Sequence, residues 1–152
     1  MIAQNLESVR SRISDALDRS HRQTGAVRLV AVSKTVSKDR ILEAIDAGVV
    51  DFGENKVQEA ENKWIDIKKK FNNLNLHMIG KLQSNKVKKA VKIFDYIHSL
   101  DNAKLALKIF HSEKGLNKKV KLFIQVNLTA EKQKSGIFLN ELNNFYSYCT
   151  ND

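Results

Sequence analysis

The sequence predicts an α/β protein with five parallel strands alternating with helices, and three observations carry that prediction. Short runs rich in Val, Ile, Leu and Phe recur along the chain, each followed by apolar residues at helical spacing. Every such run ends in a polar residue or a glycine, the pattern of strands whose carboxyl ends open into loops. No linker or low-complexity stretch interrupts the alternation, and 152 residues suit one domain. Alternating strands and helices imply a parallel sheet with right-handed crossovers. Two architectures satisfy this: an open doubly wound sheet, or part of a (β/α)8 barrel. A whole barrel takes about 250 residues, so this chain would supply only part of one.

The elements follow in order. Ile2, Leu6, Val9, Ile13 and Leu17 recur at spacings of three and four and predict an amphipathic first helix. The first strand is predicted over residues 27–32. A helix beginning near Lys38, with Ile41, Leu42 and Ile45 inward, stops at Gly48. Residues 49–53 read as the second strand. The helix over about 55–70 has Val57, Ala60, Trp64 and Ile67 on one face. Residues 74–79 form the third strand, and a basic helix follows over about 84–93. Residues 96–100 form the fourth strand, before a helix with Leu105, Ile109 and Phe110 that ends near Gly115. Residues 120–127 give the clearest strand signal. A polar loop and a helix around 139–148 finish the sequence. Proline is absent throughout.

The bulk numbers exclude several classes. Hydrophobic residues make up 42% of the chain, enough for a real core. Glu7, Arg10, Arg12, Asp15, Asp18 and Arg19 leave no secretory apolar stretch near the start, and no run is long enough to span a membrane. A single cysteine, Cys149, forms no disulfide framework or metal motif, so a reducing cytoplasm is the expected setting. The net charge of +9 invites a nucleic-acid reading. However, the lysines are spread along the chain, and no aromatic-interleaved basic motif accompanies them. Lys81, Lys86, Lys88, Lys89 and Lys92 are expected to form a solvated helix face.

Lys34 is the leading candidate for chemistry. It follows the first apolar run in Ala-Val-Ser-Lys-Thr, just ahead of a helix. A lysine at a strand end in partly apolar surroundings can have its amine pKa lowered, which makes it a nucleophile for a carbonyl or aldehyde. Taken alone, solvation is the commoner fate of such a lysine. The other strands end in Gly53-Glu54-Asn55, Gly80-Lys81-Leu82-Gln83-Ser84-Asn85, His98-Ser99 and Asn127. Together with Lys34 these could line a polar pocket, or they could cap helices and make turns. Capping or helix-start chemistry is the expectation for Asn102, Ser84 and Lys38-Asp39.

Five ordered segments then resemble one family. They are Ala-Val-Ser-Lys-Thr at 31–35, Phe-Gly-Glu-Asn-Lys-Val-Gln-Glu at 52–59 and His-Met-Ile-Gly-Lys-Leu-Gln-Ser-Asn-Lys at 77–86. Ile-His-Ser-Leu-Asp follows at 97–101, then Gln-Val-Asn-Leu at 125–128 with Lys-Ser-Gly-Ile at 134–137. In that order they resemble the pyridoxal phosphate homeostasis proteins, over essentially all 152 residues. The resemblance implies a partial (β/α)8 TIM barrel of the alanine racemase amino-terminal type. It implies pyridoxal 5′-phosphate held as a Schiff base on Lys34, with Asn55 beside the cofactor and Ile79 and Gly80 at the pocket wall. His77, Ser84 and Asn85 are weaker assignments, and His98 is expected to be a satisfied core or strand-end histidine. Family members continue through three more strands carrying the main phosphate anchors. The expectation is therefore a single domain, 1–152, truncated after about the fifth strand.

Three function classes follow. The first is a non-enzymatic carrier in intracellular vitamin B6 homeostasis, serving pyridoxal phosphate-dependent apo-enzymes. The second is an amino-acid racemase-like enzyme, although Tyr96, Tyr146 and Tyr148 match no second-base motif for racemisation. The third is a truncated interaction module. The uncovered half-barrel edge predicts association with a second copy or a completing chain.

Overall fold

The structure, a computed structural model, describes residues 1–129 and 131–151. Among the described residues there are six helices: α1 (Ile2–Arg19), α2 (Lys38–Asp46), α3 (Val57–Lys70), α4 (Val87–Ile93), α5 (Ala103–Leu116) and α6 (Leu142–Thr150). The strands are β1 (Ala31–Val32), β2 (Asp51–Glu54), β3 (Asn75–Met78), β4 (Tyr96–Leu100), β5 (Lys121–Ile124), β6 (Val126–Asn127) and β7 (Ile137–Phe138). Strands β1 to β5 form one parallel sheet in the order β1-β2-β3-β4-β5. A doubly wound sheet reverses its strand order at a switch point. Here the order never reverses, so the sheet is of the barrel type.

Period-two alternation divides each strand between two faces. On the helix side, Phe52, Leu76, Met78 and Ile97 are buried against Ile41 of α2, Trp64 of α3, Val87 and Val91 of α4, and Ile109 of α5. Phe52 and Trp64 pack with ring centroids 4.9 Å apart. At about 25 cal/mol per Å2, this apolar burial is the main force holding helices to sheet. The opposite face carries Val32, Gly53, His77, Tyr96 and Lys121, paired strand to strand in a single row. Val32 is 51% exposed and Phe123 50%, so this face has no apolar cover among the described residues.

The structure sharpens several boundaries. Only Ala31 and Val32 of the predicted first strand make ladder pairs, with Phe52 and Gly53 of β2. The long run at 120–127 is divided at Gln125, whose N–H donates to Leu100 while its carbonyl accepts from Ile137. That carbonyl leads into the small parallel pair β6–β7, which periodicity did not indicate. Helix α2 stops where expected, with Gly48 at φ 84°. Helix α5 runs past Gly115 and ends at Asn117, which takes the left-handed conformation instead. Asn102 caps α5 as predicted, its side chain accepting from the Leu105 N–H at 2.9 Å. Ser84 opens a short 3-10 turn and contributes no side-chain cap. The predicted polar loop passes through Ala130, which lies outside the described residues, as does Asp152.

Candidate functional site at the carboxyl ends of the strands

Two residues along from the row Val32, Gly53, His77, Tyr96 and Lys121 lie Lys34, Asn55, Ile79, His98 and Phe123. Lys34, Asn55 and Ile79 therefore occupy equivalent places just beyond β1, β2 and β3. The backbone ties them together: the Ser33 N–H donates to Gly53 and the Ile79 N–H to Glu54, each at 2.9 Å. Gly80 then closes on Asn55. A Cβ at position 80 would overlap the Asn55 carbonyl oxygen and sit 2.9 Å from its Cα. Only glycine permits that approach. A Cβ at Gly53 would meet Ile79 Cδ1 at 3.2 Å, so the side chain of Ile79 occupies the space that Gly53 leaves. The four residues singled out by the sequence are thus neighbours along one edge of the sheet.

Lys34 stands on the turn between β1 and α2. Its side chain is exposed, and among the described residues its amine engages no hydrogen bond or ion pair. The following residue, Thr35, has φ 63°, which places a β-branched residue in the left-handed region. Beneath the turn lies a buried polar cluster. Glu54 is fully buried, and its Oε1 accepts from Ser33 Oγ at 2.7 Å and from Trp64 Nε1 at 3.0 Å. The same oxygen pairs with Lys63 Nζ at 2.7 Å. Lys63 also donates to the Ser33 carbonyl at 2.7 Å and pairs with Glu59 at 2.9 Å. These contacts hold the Glu59 carboxyl below its ordinary value, the Lys63 hydrogen bond first and the Thr35 N–H second. Glu54 was read only as one of the strand-end groups, and Glu59 and Lys63 were missed as functional candidates. A Glu–Lys pair four apart on a helix ordinarily reads as a surface ion pair.

A second polar chain runs beneath the site on the open face. His77 is buried, with Nε2 3.0 Å from Asp51 Oδ1 and Nδ1 2.9 Å from His98 Nε2. The His77 and Tyr96 rings stack at 4.2 Å. Arg28 donates to the Tyr96 hydroxyl at 2.6 Å and Lys121 donates to it at 3.2 Å. The Lys121 hydrogen bond, ahead of Arg28, holds the Tyr96 phenol below its ordinary value. Burial, with His77 beside it, does the same to the His98 imidazole. His77 and His98 satisfy each other inside this chain, as expected for His98, and His77 has a structural partner in Asp51. Ser84 and Asn85 are exposed in the turn after Gly80, and neither side chain donates or accepts within the site among the described residues.

The arrangement offers an accessible amine on a fixed turn, with Asn55 level with it at the end of the next strand and its backbone packed against Gly80. That donor set fits the aldehyde end of a carbonyl cofactor. Among the described residues no helix is long and apolar enough to cross a membrane, and no cluster of His, Cys, Asp or Glu could hold a metal.

No family model matches the chain. It is 39% identical over 141 residues to a protein of Pasteurella multocida and 40% identical over 142 residues to one of Escherichia coli, each named "pyridoxal phosphate homeostasis protein". These alignments cover 93% of this chain, which spans about three fifths of the length of either relative (60% and 61%). Among solved structures, PipY of Synechococcus elongatus without pyridoxal phosphate matches with a TM-score of 0.82 at 38% identity, covering 95% of this chain and 62% of that one. PipY with pyridoxal phosphate bound matches at 0.76 and 35%, with 95% and 64% covered. An alanine racemase of Clostridium difficile matches at 0.64 and 11% identity, covering 94% of this chain and 37% of that one, a likeness of fold alone.

Proposed function

From the premise that this chain is a homologue of the pyridoxal phosphate homeostasis proteins, matching about three fifths of their length, we propose that it binds pyridoxal 5′-phosphate through Lys34 without turnover. One observation carries the reading: the exposed, unengaged Lys34 amine on the turn after β1, level with Asn55 and Ile79. The cofactor supplies an aldehyde and an electron-poor ring. Lys34 would hold the cofactor through its side-chain amine at that aldehyde carbon, with water as the by-product of the linkage. Ile79 and Gly80 wall the site, and Asn55 presents its amide beside the adduct. PipY, a structural relative, has been solved with pyridoxal phosphate bound, which supports this assignment.

A carrier role fits better than catalysis. Racemisation needs a base on each face of the substrate carbanion. His98, level with Ile79, is engaged by His77, and His77 in turn by Asp51, so each histidine already has a partner within the sheet. The relatives are named for homeostasis rather than for a reaction. A cytoplasmic carrier of this kind implies pyridoxal phosphate-dependent apo-enzymes as recipients. The uncovered face bearing Val32 and Phe123 suits a second copy or a completing chain. Titration with pyridoxal phosphate tests the binding. The wild-type chain develops a saturable visible absorbance that Lys34→Ala lacks, and an equal signal in Lys34→Ala would refute the reading.

A further inference from the structure

Two residues one turn apart on α3 grip the Lys34 turn from opposite sides. Lys63 Nζ donates to the carbonyl of Ser33, the residue before Lys34, at 2.7 Å. Glu59 Oε1 accepts from the N–H of Thr35, the residue after it, at 2.5 Å. The grip is closed by the Glu59–Lys63 ion pair at 2.9 Å and is anchored into the core by Lys63–Glu54 at 2.7 Å. The Lys63 side chain is only 10% exposed, so this is no ordinary surface pair. The peptide groups flanking Lys34 are thereby fixed to a helix whose own inner face, Val57, Ala60, Trp64 and Ile67, is buried. Thr35 at φ 63° is a conformation that persists only where the surroundings impose it. The turn is closed by the Val36 N–H donating to the Ser33 carbonyl at 3.1 Å, and the Glu59 carboxylate on the Thr35 N–H fixes it to α3.

We propose that Glu59 and Lys63 are positioning residues that hold the Lys34 turn in the shape from which its amine captures an aldehyde, so that loosening either side weakens capture. The inference rests on the Lys34 reading above. The step itself is unchanged: amine plus aldehyde gives the C=N linkage and water, with no redox change. What the two residues supply is orientation, because an amine on a turn held at both ends loses less freedom when the bond forms.

The test uses the full chain with three substitutions. Glu59→Ala removes the acceptor for Thr35, Glu59→Gln keeps an acceptor but drops the charge, and Lys63→Gln loosens the Ser33 side. In cofactor-free protein, amide hydrogen exchange at Thr35 accelerates by about tenfold or more in Glu59→Ala and much less in Glu59→Gln. Capture of pyridoxal phosphate at Lys34, trapped with borohydride, falls by roughly tenfold or more in Glu59→Ala and in Lys63→Gln, and is largely restored in Glu59→Gln. The inference is overturned if Thr35 exchange does not change in Glu59→Ala. It is equally overturned if exchange accelerates while capture stays at the wild-type level. Should Glu59→Ala fail to fold, Glu59→Asp, which keeps the charge but withdraws the acceptor from the Thr35 N–H, decides both arms: wild-type exchange or wild-type capture there refutes the proposal. If wild type itself traps nothing at Lys34, the functional reading fails, while the exchange arm still reports whether the turn is held.

Discussion

Gly80 lies directly against the backbone of Asn55, so close that any side-chain carbon at position 80 would overlap the Asn55 carbonyl oxygen. The contact joins the loop after β3 to the loop after β2 and fixes the Asn55 backbone at the carboxyl end of the sheet. Gly80→Ala should therefore push the two loops apart. The expected cost is about 1–3 kcal/mol of stability, from overpacking against backbone that cannot yield. Denaturant unfolding measures the loss, and pyridoxal phosphate titration should show weaker binding in the same variant. Unchanged stability and affinity would mean that the loops relax freely.

Lys63→Met should be among the most damaging substitutions in the chain. It leaves the fully buried Glu54 carboxylate without its 2.7 Å cation and takes one of two donors from the Ser33 carbonyl, which keeps the Val36 N–H. Removing one partner of a buried pair costs about 3–5 kcal/mol, because the remaining charge is stranded. A urea or guanidinium midpoint within error of wild type would show that Glu54 finds another partner.

His98 gives the fold a pH dependence. Its imidazole is held below the ordinary value of 6.5, first by burial and then by His77. The facing groups are His77 and Asp51 on the neighbouring strands, Tyr96 with Arg28 and Lys121 below, and the Phe123 ring at 4.6 Å. A lowered folded-state value means that the unfolded chain binds the proton more readily. The His98 contribution is therefore complete above about pH 6.5 and is lost as pH falls through the folded value. Denaturant midpoints between about pH 7.5 and pH 5.5 should drop less in His98→Gln than in wild type. Parallel profiles in the two proteins would remove His98 from the account.

With pyridoxal phosphate and L-alanine present, the protein should convert substrate no faster than free cofactor does. Polarimetry or chiral chromatography reads this directly. Turnover that disappears in Lys34→Ala would reverse the assignment and make the protein an enzyme.

Much of this arrangement was legible in the sequence, and the illegible parts share a physical cause. Strand β4 was read at its observed bounds because Tyr96–Leu100 lies between two neighbours and its burial follows its composition. Lys34 was singled out by its place after the first strand, a local signal, whereas Asn55, Ile79 and Gly80 were named through the family resemblance; the structure sets all four at the carboxyl ends of β1, β2 and β3. The Glu54–Lys63–Glu59 cluster was not, because what distinguishes it from surface charge is burial beneath β1, and burial is a property of the assembled fold. The Arg28–Tyr96 and Asp51–His77 contacts join residues 68 and 26 positions apart, which no window of sequence connects. The break after β5 at Gln125 was likewise set by a neighbour, Ile137, whose N–H donates to the Gln125 carbonyl.

The central claim is that Lys34, among the chain's many lysines, is the one that captures the cofactor. Borohydride reduction of the protein with pyridoxal phosphate, followed by peptide mapping, tests it most directly. The account predicts the pyridoxyl group on the peptide containing Lys34 at low cofactor excess, with that peptide unlabelled in Lys34→Ala. Label on another lysine, with Lys34 unmodified, would contradict it.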